Sequence, residues 1–155
     1  MPVITIKGKI QLELELKRLI EVERPKVIRA IEEARAHGDL SENAEYAAAK
    51  ERQSFVEGRI SDISSKLATF EVIDPSNLKL DKIAFGATVT VLNVEADEKI
   101  KYQIVGQDEA DISKGMISIM SPIARAMIGK FEGDIIIVKS PKGEVEYEIL
   151  KIEYL

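Results

Sequence analysis

The fold of the first half is decided by residues 56–70, VEGRISDISSKLATF. The apolar positions in this stretch alternate between spacings of four and three: Val56, Ile60, Ile63, Leu67 and Phe70. An average spacing of 3.5 residues is typical of a helix that packs along one stripe in a coiled coil. A similar stripe comes earlier in the chain, at Leu12, Leu16, Leu19, Val27, Ile31 and Ala34. The two stripes therefore predict two packed helices.

The segment between the stripes predicts how the helices connect. Gly38 suits the left-handed position that ends the first helix. Asp39, with Glu42 three residues later, reads as a capping box that begins the second helix. A connection this short predicts an antiparallel hairpin with its tip at residues 37–46. Pro25 lies inside the first helix, so we expect a bend near residues 21–24, where one backbone hydrogen bond is lost.

Beyond residue 73 the pattern changes to strands. Residues 74–81 hold turn and linker signals, which separate a hairpin domain of residues 1–73 from a second domain of residues 82–155. Ser121 and Pro122 predict the start of a short helix that Gly129 ends. Residues rich in β-formers predict five strands at residues 85–94, 99–105, 116–120, 134–139 and 144–152. The fold class is therefore α+β, with an antiparallel sheet and one helix in the second half.

Composition excludes several classes of function. The chain has 155 residues, no Cys, no Trp and one His, which excludes thiolate metal sites, disulfides and His-rich metal sites. The formal charge of −5 argues against a protein held on nucleic acid by bulk electrostatics. The N-terminus lacks the apolar core of a signal peptide, and no apolar run is long enough to span a membrane. We expect a soluble, cytoplasmic protein.

Polar chemistry concentrates at the predicted tip. The carboxylates of Asp39 and Glu42, three residues apart at a helix start, point the same way and are ligands that suit Mg²⁺. Two carboxylates leave most of an octahedral shell empty, so any metal would need further ligands from a partner. The alternative is that both acids only cap the helix.

Other polar residues near the tip have similar alternatives. His37 is either a catalytic base or a helix C-terminal residue that interacts with the dipole. Tyr46 is as consistent with a packing role at the tip as with a functional one. Arg35 and Lys50 are solvated charges on the shafts, the two predicted helices next to the tip, unless a phosphate approaches them.

The tip segment, HGDLSENAEY at residues 37–46, resembles the tip motif of the bacterial Gre transcript-cleavage factors, in their GreA type. Further segments along the chain are similar to that family in the same order: EGRI at 57–60, FGATV at 85–89, GQDEAD at 106–111, SPIARAMIGK at 121–130 and GEVEYEI at 143–149. The resemblance covers nearly the whole chain.

This resemblance implies a coiled coil followed by an FKBP-like domain that docks on bacterial RNA polymerase at its secondary channel. Asp39 and Glu42 match the tip acids that help hold a catalytic Mg²⁺, shared with the polymerase, and orient the attacking water. Arg35 and Lys50 match basic positions that contact the nascent RNA 3′ end, and many relatives carry Arg in place of Lys50. Ser121, Pro122 and Arg125 lie in a family-like segment of the docking domain, although helix capping explains the first two equally well.

The leading hypothesis is a monomeric elongation factor that stimulates the polymerase to cleave backtracked RNA, without a cofactor when the factor is alone. One alternative is a protein that binds the secondary channel and inhibits the polymerase. Another is a free-standing prolyl isomerase or nuclease, for which the sequence offers no complete set of catalytic residues.

Overall fold

A computed structural model describes residues 2–38 and 43–155 of the protein. The chain divides into two compact units: a hairpin unit, Lys9–Phe70, and a globular unit made of Met1–Gly8 with Glu71–Leu155. This division differs from the predicted boundary after residue 73, because the N-terminal segment is part of the globular unit. Residues 74–81, predicted as a linker, begin with the 3-10 turn Pro75–Asn77, in which Pro75 is buried. That segment therefore belongs to the globular unit.

The hairpin unit is built from long helices. The first helix runs through α1 (Ile6–Arg18), a π-helical turn (Leu19–Glu23) and α2 (Arg24–Ala36), and the second is α3 (Ala44–Thr69). Ion pairs join Glu15 to Arg59 and Arg24 to Glu57. The later residue of the first helix therefore pairs with the earlier residue of the second. The helices are therefore antiparallel, as predicted. Within residues 2–38 and 43–155, no helix is both long and apolar enough to cross a membrane.

The apolar stripes form the buried seam of the hairpin unit. Most of the predicted positions are less than one-tenth exposed: Leu12, Leu19, Val27, Ile31 and Ala34 on the first helix, and Val56, Ile60 and Ile63 on the second. Toward the tip, the buried side chains of the seam are the small ones of Ala34 and Ala49. The helices therefore bury little apolar area between them there. The prediction of two helices packed along these stripes is confirmed.

The irregularity expected from Pro25 is a π-helical turn. Buried Leu19 and Val27 are eight residues apart, one more than the seven of a regular heptad step. A π-helical turn accommodates one extra residue, so both side chains stay on the seam. Pro25 follows directly in the first turn of α2, and it has no N–H to donate to the helical turn before it. The turn therefore lies where the sequence predicted a bend.

The main sheet of the globular unit is mixed. The short strands β1 (Val3–Thr5) and β2 (Glu71–Ile73) form a sheet of their own. The main sheet contains β3 (Thr88–Asn93), β4 (Glu98–Val105), β5 (Met116–Ser118), β6 (Ile135–Ser140) and β7 (Gly143–Glu153). The strand order is β5-β4-β3-β7-β6. The pairs β3–β4, β3–β7 and β6–β7 are antiparallel, but β4 and β5 are parallel. The prediction of an antiparallel sheet is therefore correct for these three pairs and wrong for β5.

Local backbone geometry corrects the strand ends. The strand predicted at residues 85–94 begins only at Thr88, because residues 85–86 form a turn in which Gly86 has a φ of +89°. In β7, the apolar residues shift phase between Ile149 and Ile152. The register against β3 shifts at the same point, because Val91 pairs with Ile149 while Thr90 pairs with Lys151. This bulge lets Ile149 stay fully buried.

The helix α4 (Pro122–Met127) covers the core of the globular unit. Its Ala124 and Met127 are fully buried among side chains from the sheet, including Val89, Ile104 and Ile136. Ser121 is the N-cap residue, since its hydroxyl oxygen accepts a hydrogen bond from the Ala124 N–H at 3.3 Å. The predicted short helix is confirmed.

The N-terminal segment is held in the globular unit by contacts that the sequence did not reveal. Strand β1 pairs in parallel with β2. The Glu109 carboxylate accepts hydrogen bonds from the Thr5 N–H at 2.8 Å, from the Thr5 hydroxyl and from the Gly106 N–H. Gly106 itself lies so close to β1 that an added Cβ would be 2.5 Å from the Val3 carbonyl oxygen. These contacts place the start of α1.

Candidate functional site

The end of α2 brings the chain to the tip. Helix α2 ends at Ala36, with His37 as its C-cap residue. The Gly38 N–H donates to the Arg35 carbonyl at 3.3 Å, and Gly38 has a φ of +108°. The left-handed cap predicted at Gly38 is therefore confirmed. His37 occupies the helix C-terminus, where an imidazolium interacts favourably with the helix dipole.

The second helix begins later than predicted. Helix α3 starts at Ala44, and its N-cap is Asn43, whose Oδ1 accepts from the Tyr46 N–H at 3.0 Å. The capping box predicted from Asp39 and Glu42 is therefore not what begins this helix. Asp39 and Glu42 themselves lie outside the described residues. A purely structural role for Asp39 depended on its being the N-cap residue of the second helix. That position is occupied by Asn43.

Asn43 also joins the two helices. Its Nδ2 donates a hydrogen bond of 2.7 Å to the carbonyl oxygen of Ala34, on α2. A second cross-connection lies nearby, where the Nδ1 of His37 is 3.1 Å from Oε2 of Glu45. The His37 and Glu45 side chains are mostly exposed, whereas Asn43 is half-buried. We call the bond between Asn43 and Ala34, together with the pair of His37 and Glu45, the tip clasp.

The two basic residues singled out from the sequence are exposed, one on each shaft next to the tip. Arg35 lies in the last turn of α2, and Lys50 lies in α3 after the buried Ala49. The Lys50 Nζ donates to the Gln53 side chain at 3.0 Å, which leaves the ammonium in solvent. Both charges are therefore available to an approaching anion.

The residues assigned to docking lie at the start of α4. Pro122 and Arg125 are exposed, while the Ser121 hydroxyl both caps the helix and donates to the Ser118 carbonyl at 2.7 Å. Burial of Ala124 and Met127 directs the opposite face of this helix outward. The structure thus presents Arg125 on a rigidly packed element.

Ion pairs brace the hairpin shafts. The Arg59 guanidinium forms a bidentate pair with the Glu15 carboxylate at 2.6 and 2.8 Å, and it also contacts Asp62 at 3.0 Å. The hydrogen bonds from Arg59 hold the pKa of Glu15 below its usual range. Next to the π-helical turn, Glu23 is only 16% exposed and lies within 4 Å of Arg18 and Arg52.

The pair of Glu15 and Arg59 predicts a pH-dependent contribution to hairpin stability. Because the pKa of Glu15 is lowered in the folded state, its stabilising effect is complete at neutral pH and is lost as pH falls through that lowered value. We expect Glu15→Gln to destabilise the hairpin at about pH 7 and to have a smaller effect at about pH 3. Urea unfolding monitored by far-UV circular dichroism measures this difference. Glu13→Gln is the control, since the pair that Glu13 forms with Lys9, at 3.8 Å, is exposed. Equal effects of Glu15→Gln at both pH values would contradict the assignment.

The described residues contain no cluster of three or more His or acidic side chains that could hold a metal ion. Asp39 and Glu42, the predicted metal ligands, are outside these residues. Their chemistry fits Mg²⁺ only as part of a shell, because two carboxylates leave the remaining octahedral positions to other ligands.

Sequence reasoning missed Asn43 and Glu109 as structurally important residues. A signal for Asn43 was present, since Asn is among the strongest N-cap residues and immediately precedes the helix-forming run 44–50. Glu109 had no such signal. Its partners, Thr5 and Gly106, depend on a pairing between distant parts of the chain.

Comparison with known proteins assigns the family. The family model described as "Transcription elongation factor, N-terminal" matches residues 2–72, and the one described as "Transcription elongation factor, GreA/GreB, C-term" matches residues 77–154. Among solved structures, the GreA factor homolog 1 (Gfh1) protein of Thermus thermophilus is 23% identical, with 99% of each chain covered and a TM-score of 0.45.

Curated relatives are much more similar in sequence. The chain is 55% identical over 152 residues to the transcription elongation factor GreA of Alkalilimnicola ehrlichii, covering 97% of this chain and 96% of the relative. It is 57% identical over 153 residues to the protein of that name from Ralstonia nicotianae, with 98% and 97% covered. The match to both family models and to nearly full-length relatives shows that the chain belongs to the GreA/GreB family of transcription elongation factors.

Proposed function

We propose that this protein is a transcription elongation factor that binds bacterial RNA polymerase and stimulates the polymerase's own cleavage of backtracked RNA. This proposal rests on sequence identity of 55% or more with GreA proteins, over nearly the full length of this chain and of each relative. The factor is an accessory to the nuclease activity of the polymerase and acts as a monomer. Cleavage releases complexes in which the RNA 3′ end has left the active site.

The proposed chemistry lies with the two tip acids. Asp39 and Glu42 supply carboxylate oxygens to a Mg²⁺ ion shared with the polymerase, and they orient the attacking water. Such an ion, when bound, activates water and offsets the charge that develops on the phosphate. Asn43 is the N-cap residue of α3, and this supports the proposal, because the helix does not require Asp39 for its cap.

The exposed basic side chains beside the tip are proposed to contact the extruded RNA. Arg35 presents a planar guanidinium that can bind a phosphate through two hydrogen bonds, whereas Lys50 presents a single point charge. Their exposure on the two shafts supports this proposal. The globular unit is proposed to dock on the polymerase, with Ser121, Pro122 and Arg125 at the contact. Its surplus of acidic side chains suits a protein partner better than RNA.

Arg35→Ala tests the RNA contact. We expect the factor concentration for half-maximal cleavage to rise roughly 3- to 10-fold at low salt, and the difference to shrink as salt increases, because a phosphate contact is screened. Cleavage of labelled RNA in backtracked complexes, measured at several salt concentrations, gives both quantities. Arg29→Ala is the matched control, since it removes another exposed arginine from the same helix. An unchanged salt dependence for Arg35→Ala would contradict the contact.

The function itself is tested with the wild-type protein and stalled, backtracked complexes. We expect faster release of 3′ RNA fragments when the factor is added, and no RNA hydrolysis when the polymerase is omitted. A slower cleavage reaction would instead identify an inhibitor of the polymerase. Hydrolysis of RNA by the factor alone would identify a free-standing nuclease.

A further inference from the structure

The main sheet of the globular unit has an open edge at β6. In the strand order β5-β4-β3-β7-β6, the outer strands are β5 and β6. The outer side of β5 is occupied, because the N–H and carbonyl groups of Met116 bond to those of Asp111. Among residues 2–38 and 43–155, by contrast, no backbone hydrogen bond reaches the outer side of β6.

The hydrogen bonds of β7 identify which backbone groups of β6 point outward. Just before β6, the Asp134 carbonyl accepts from the Ile149 N–H at 2.8 Å and therefore points toward β7. The Glu146 carbonyl points away from β6, because it accepts from the Val94 N–H, on the β3 side, at 3.1 Å. Successive residues of an antiparallel strand direct their backbone groups to opposite sides. The residues of β6 whose N–H and carbonyl groups face outward are therefore Ile135, Ile137 and Lys139.

This edge also presents apolar side chains to solvent. Ile135 is 57% exposed and Ile137 is 55% exposed, whereas Ile136 between them is buried. Edge strands of natural proteins commonly carry charges or proline, which prevent pairing with another chain. In β6 such residues come late, with Lys139 and then Pro141 just after the strand. The first half of the edge is therefore suited to accept another strand.

A row of glutamates lies beside the exposed isoleucines. Ile135 is opposite Glu148 on β7, and Ile137 is opposite Glu146. Residues directly opposite each other in an antiparallel pair have their side chains on the same face of the sheet. Glu144 continues this row along β7. Within the part of the chain that the structure describes, none of the three glutamates takes part in an ion pair, so their charge is available to a partner.

The spacing of strands defines what an added strand would carry. It would lie about 4.8 Å from β6 and about 10 Å from β7. A Lys or Arg side chain on the solvent face can lay its aliphatic stem over Ile135 or Ile137 and place its charge near the glutamates. Alternate residues of the added strand would lie beside Ile136 and Val138, on the side of the core, where apolar side chains fit. The complementary segment therefore alternates basic and apolar residues.

A second copy of this chain fits the edge less well. Antiparallel pairing of two β6 strands centred on Ile137 would place Ile135 opposite Lys139, so each copy would contribute one cation. Such pairing would also bring the glutamate row of each copy toward the other, and like charges repel. Charge complementarity therefore favours a basic partner over self-association.

We propose that the edge of β6 is a docking site for an extended, basic segment of another protein, which adds to the main sheet as a sixth strand. The outward backbone groups of β6 hold this segment, and the glutamate row of β7 selects basic side chains at alternate positions. The site uses residues other than those proposed for docking at the start of α4. It goes beyond the proposed function and does not depend on it.

A synthetic peptide, acetyl-Arg-Val-Arg-Val-Arg-Val-Arg-amide, is the probe, and the intact chain labelled with ¹⁵N is the target. The readout is the exchange of individual amide protons with water, measured by NMR. At a peptide concentration about ten times the Kd, we expect the exchange of the Ile135, Ile137 and Lys139 amides to slow about 10-fold, because only the unbound fraction exchanges. The amides of Ile136 and Val138 already face β7, so their exchange should not change. Absence of protection at the outward amides would overturn the proposal.

Two control peptides separate strand addition from attraction by charge alone. A peptide of the same composition with its residues grouped, acetyl-Arg-Arg-Arg-Arg-Val-Val-Val-amide, keeps the charge and loses the alternation. It should protect the outward amides much less at the same concentration. A peptide with Glu in place of every Arg should not bind. Equal protection by the grouped peptide, or protection by the Glu peptide, would contradict the site.

Variants of the protein test the two parts of the site. Glu146→Gln with Glu148→Gln should raise the Kd of the alternating peptide about 2- to 10-fold at low salt, as expected for the loss of two exposed ion pairs. Glu95→Gln with Glu98→Gln is the matched control, because these exposed acids lie at the turn between β3 and β4. Ile137→Pro removes one outward N–H at an edge position, where proline is compatible with a strand, and should weaken binding about 2- to 10-fold. Equal Kd values for the two glutamate double variants would overturn the proposal.

The protein without peptide tests for a second copy at the same edge. We expect the exchange of the outward amides to be independent of protein concentration, and sedimentation equilibrium to give the mass of one chain. Protection that increases with protein concentration, together with a dimer in sedimentation, would show that β6 pairs with itself. In that case the assignment of a basic partner is wrong.

Discussion

Asp39→Ala combined with Glu42→Ala is expected to lower the stimulated rate of RNA cleavage by about 10²- to 10³-fold, the effect typical of removing a preorganised electrostatic group from an active site. The physical reason is that the two carboxylates supply oxygen ligands and orient water where the phosphate acquires charge. The measurement is single-turnover cleavage in backtracked complexes with saturating factor.

The double variant should still bind the polymerase. The proposed docking residues Ser121, Pro122 and Arg125 lie in the globular unit, whereas the substitutions are at the tip. A competition assay, in which excess double variant displaces the wild-type factor and so slows cleavage, measures this binding.

A charge-matched control removes two acids elsewhere. Glu32→Ala with Glu33→Ala removes two exposed carboxylates from α2, and it should leave the cleavage rate within about 2-fold, since surface charges contribute little. If the Asp39 and Glu42 double variant stimulated cleavage as well as the wild-type protein, the assignment of the tip acids would be wrong.

Met127→Ala is expected to lower the free energy of unfolding of the globular unit by about 2–5 kcal/mol, as large-to-small substitutions in a packed core do. Met127 is fully buried and packs with Ala124, Ile136 and neighbouring core residues. Its removal leaves a cavity beneath α4, the helix that carries Arg125.

Urea unfolding followed by tyrosine fluorescence measures this effect. Three of the four tyrosines belong to the globular unit: Tyr102, Tyr147 and Tyr154. Met120→Ala is the matched control, because Met120 is 55% exposed, and its truncation should change stability by less than about 0.5 kcal/mol. Equal losses for the two variants would show that α4 is not held by the core as described.

The parts of the fold that depend on local pattern were predictable. The alternating spacing of Val56, Ile60 and Ile63 indicated a seam because the residues of one helix face repeat every 3.5 positions in a packed pair. The N-cap at Ser121 and the left-handed cap at Gly38 followed from single-residue preferences. In each case the physical cause acts within a few residues of the chain.

The site was predictable only in part. Asp39, Glu42, Arg35 and Lys50 stood out because polar side chains concentrate between two apolar stripes. The role of Asn43 was missed, since an N-cap was expected at Asp39 and the cross-helix bond to Ala34 depends on how the helices pack. The clasp therefore became visible only when both helix ends had been placed together.

The sequence by itself determined two long helices, a strand-rich second half and the position of the tip, because each of these follows from periodicity and local backbone preference. Only the tertiary structure decided that β5 runs parallel to β4, that the N-terminal segment joins the globular unit and that Glu109 holds Thr5. Thr5 and Glu109 are 104 residues apart in the chain. Such contacts are selected by the packing of the whole unit, since no local preference links residues at that separation.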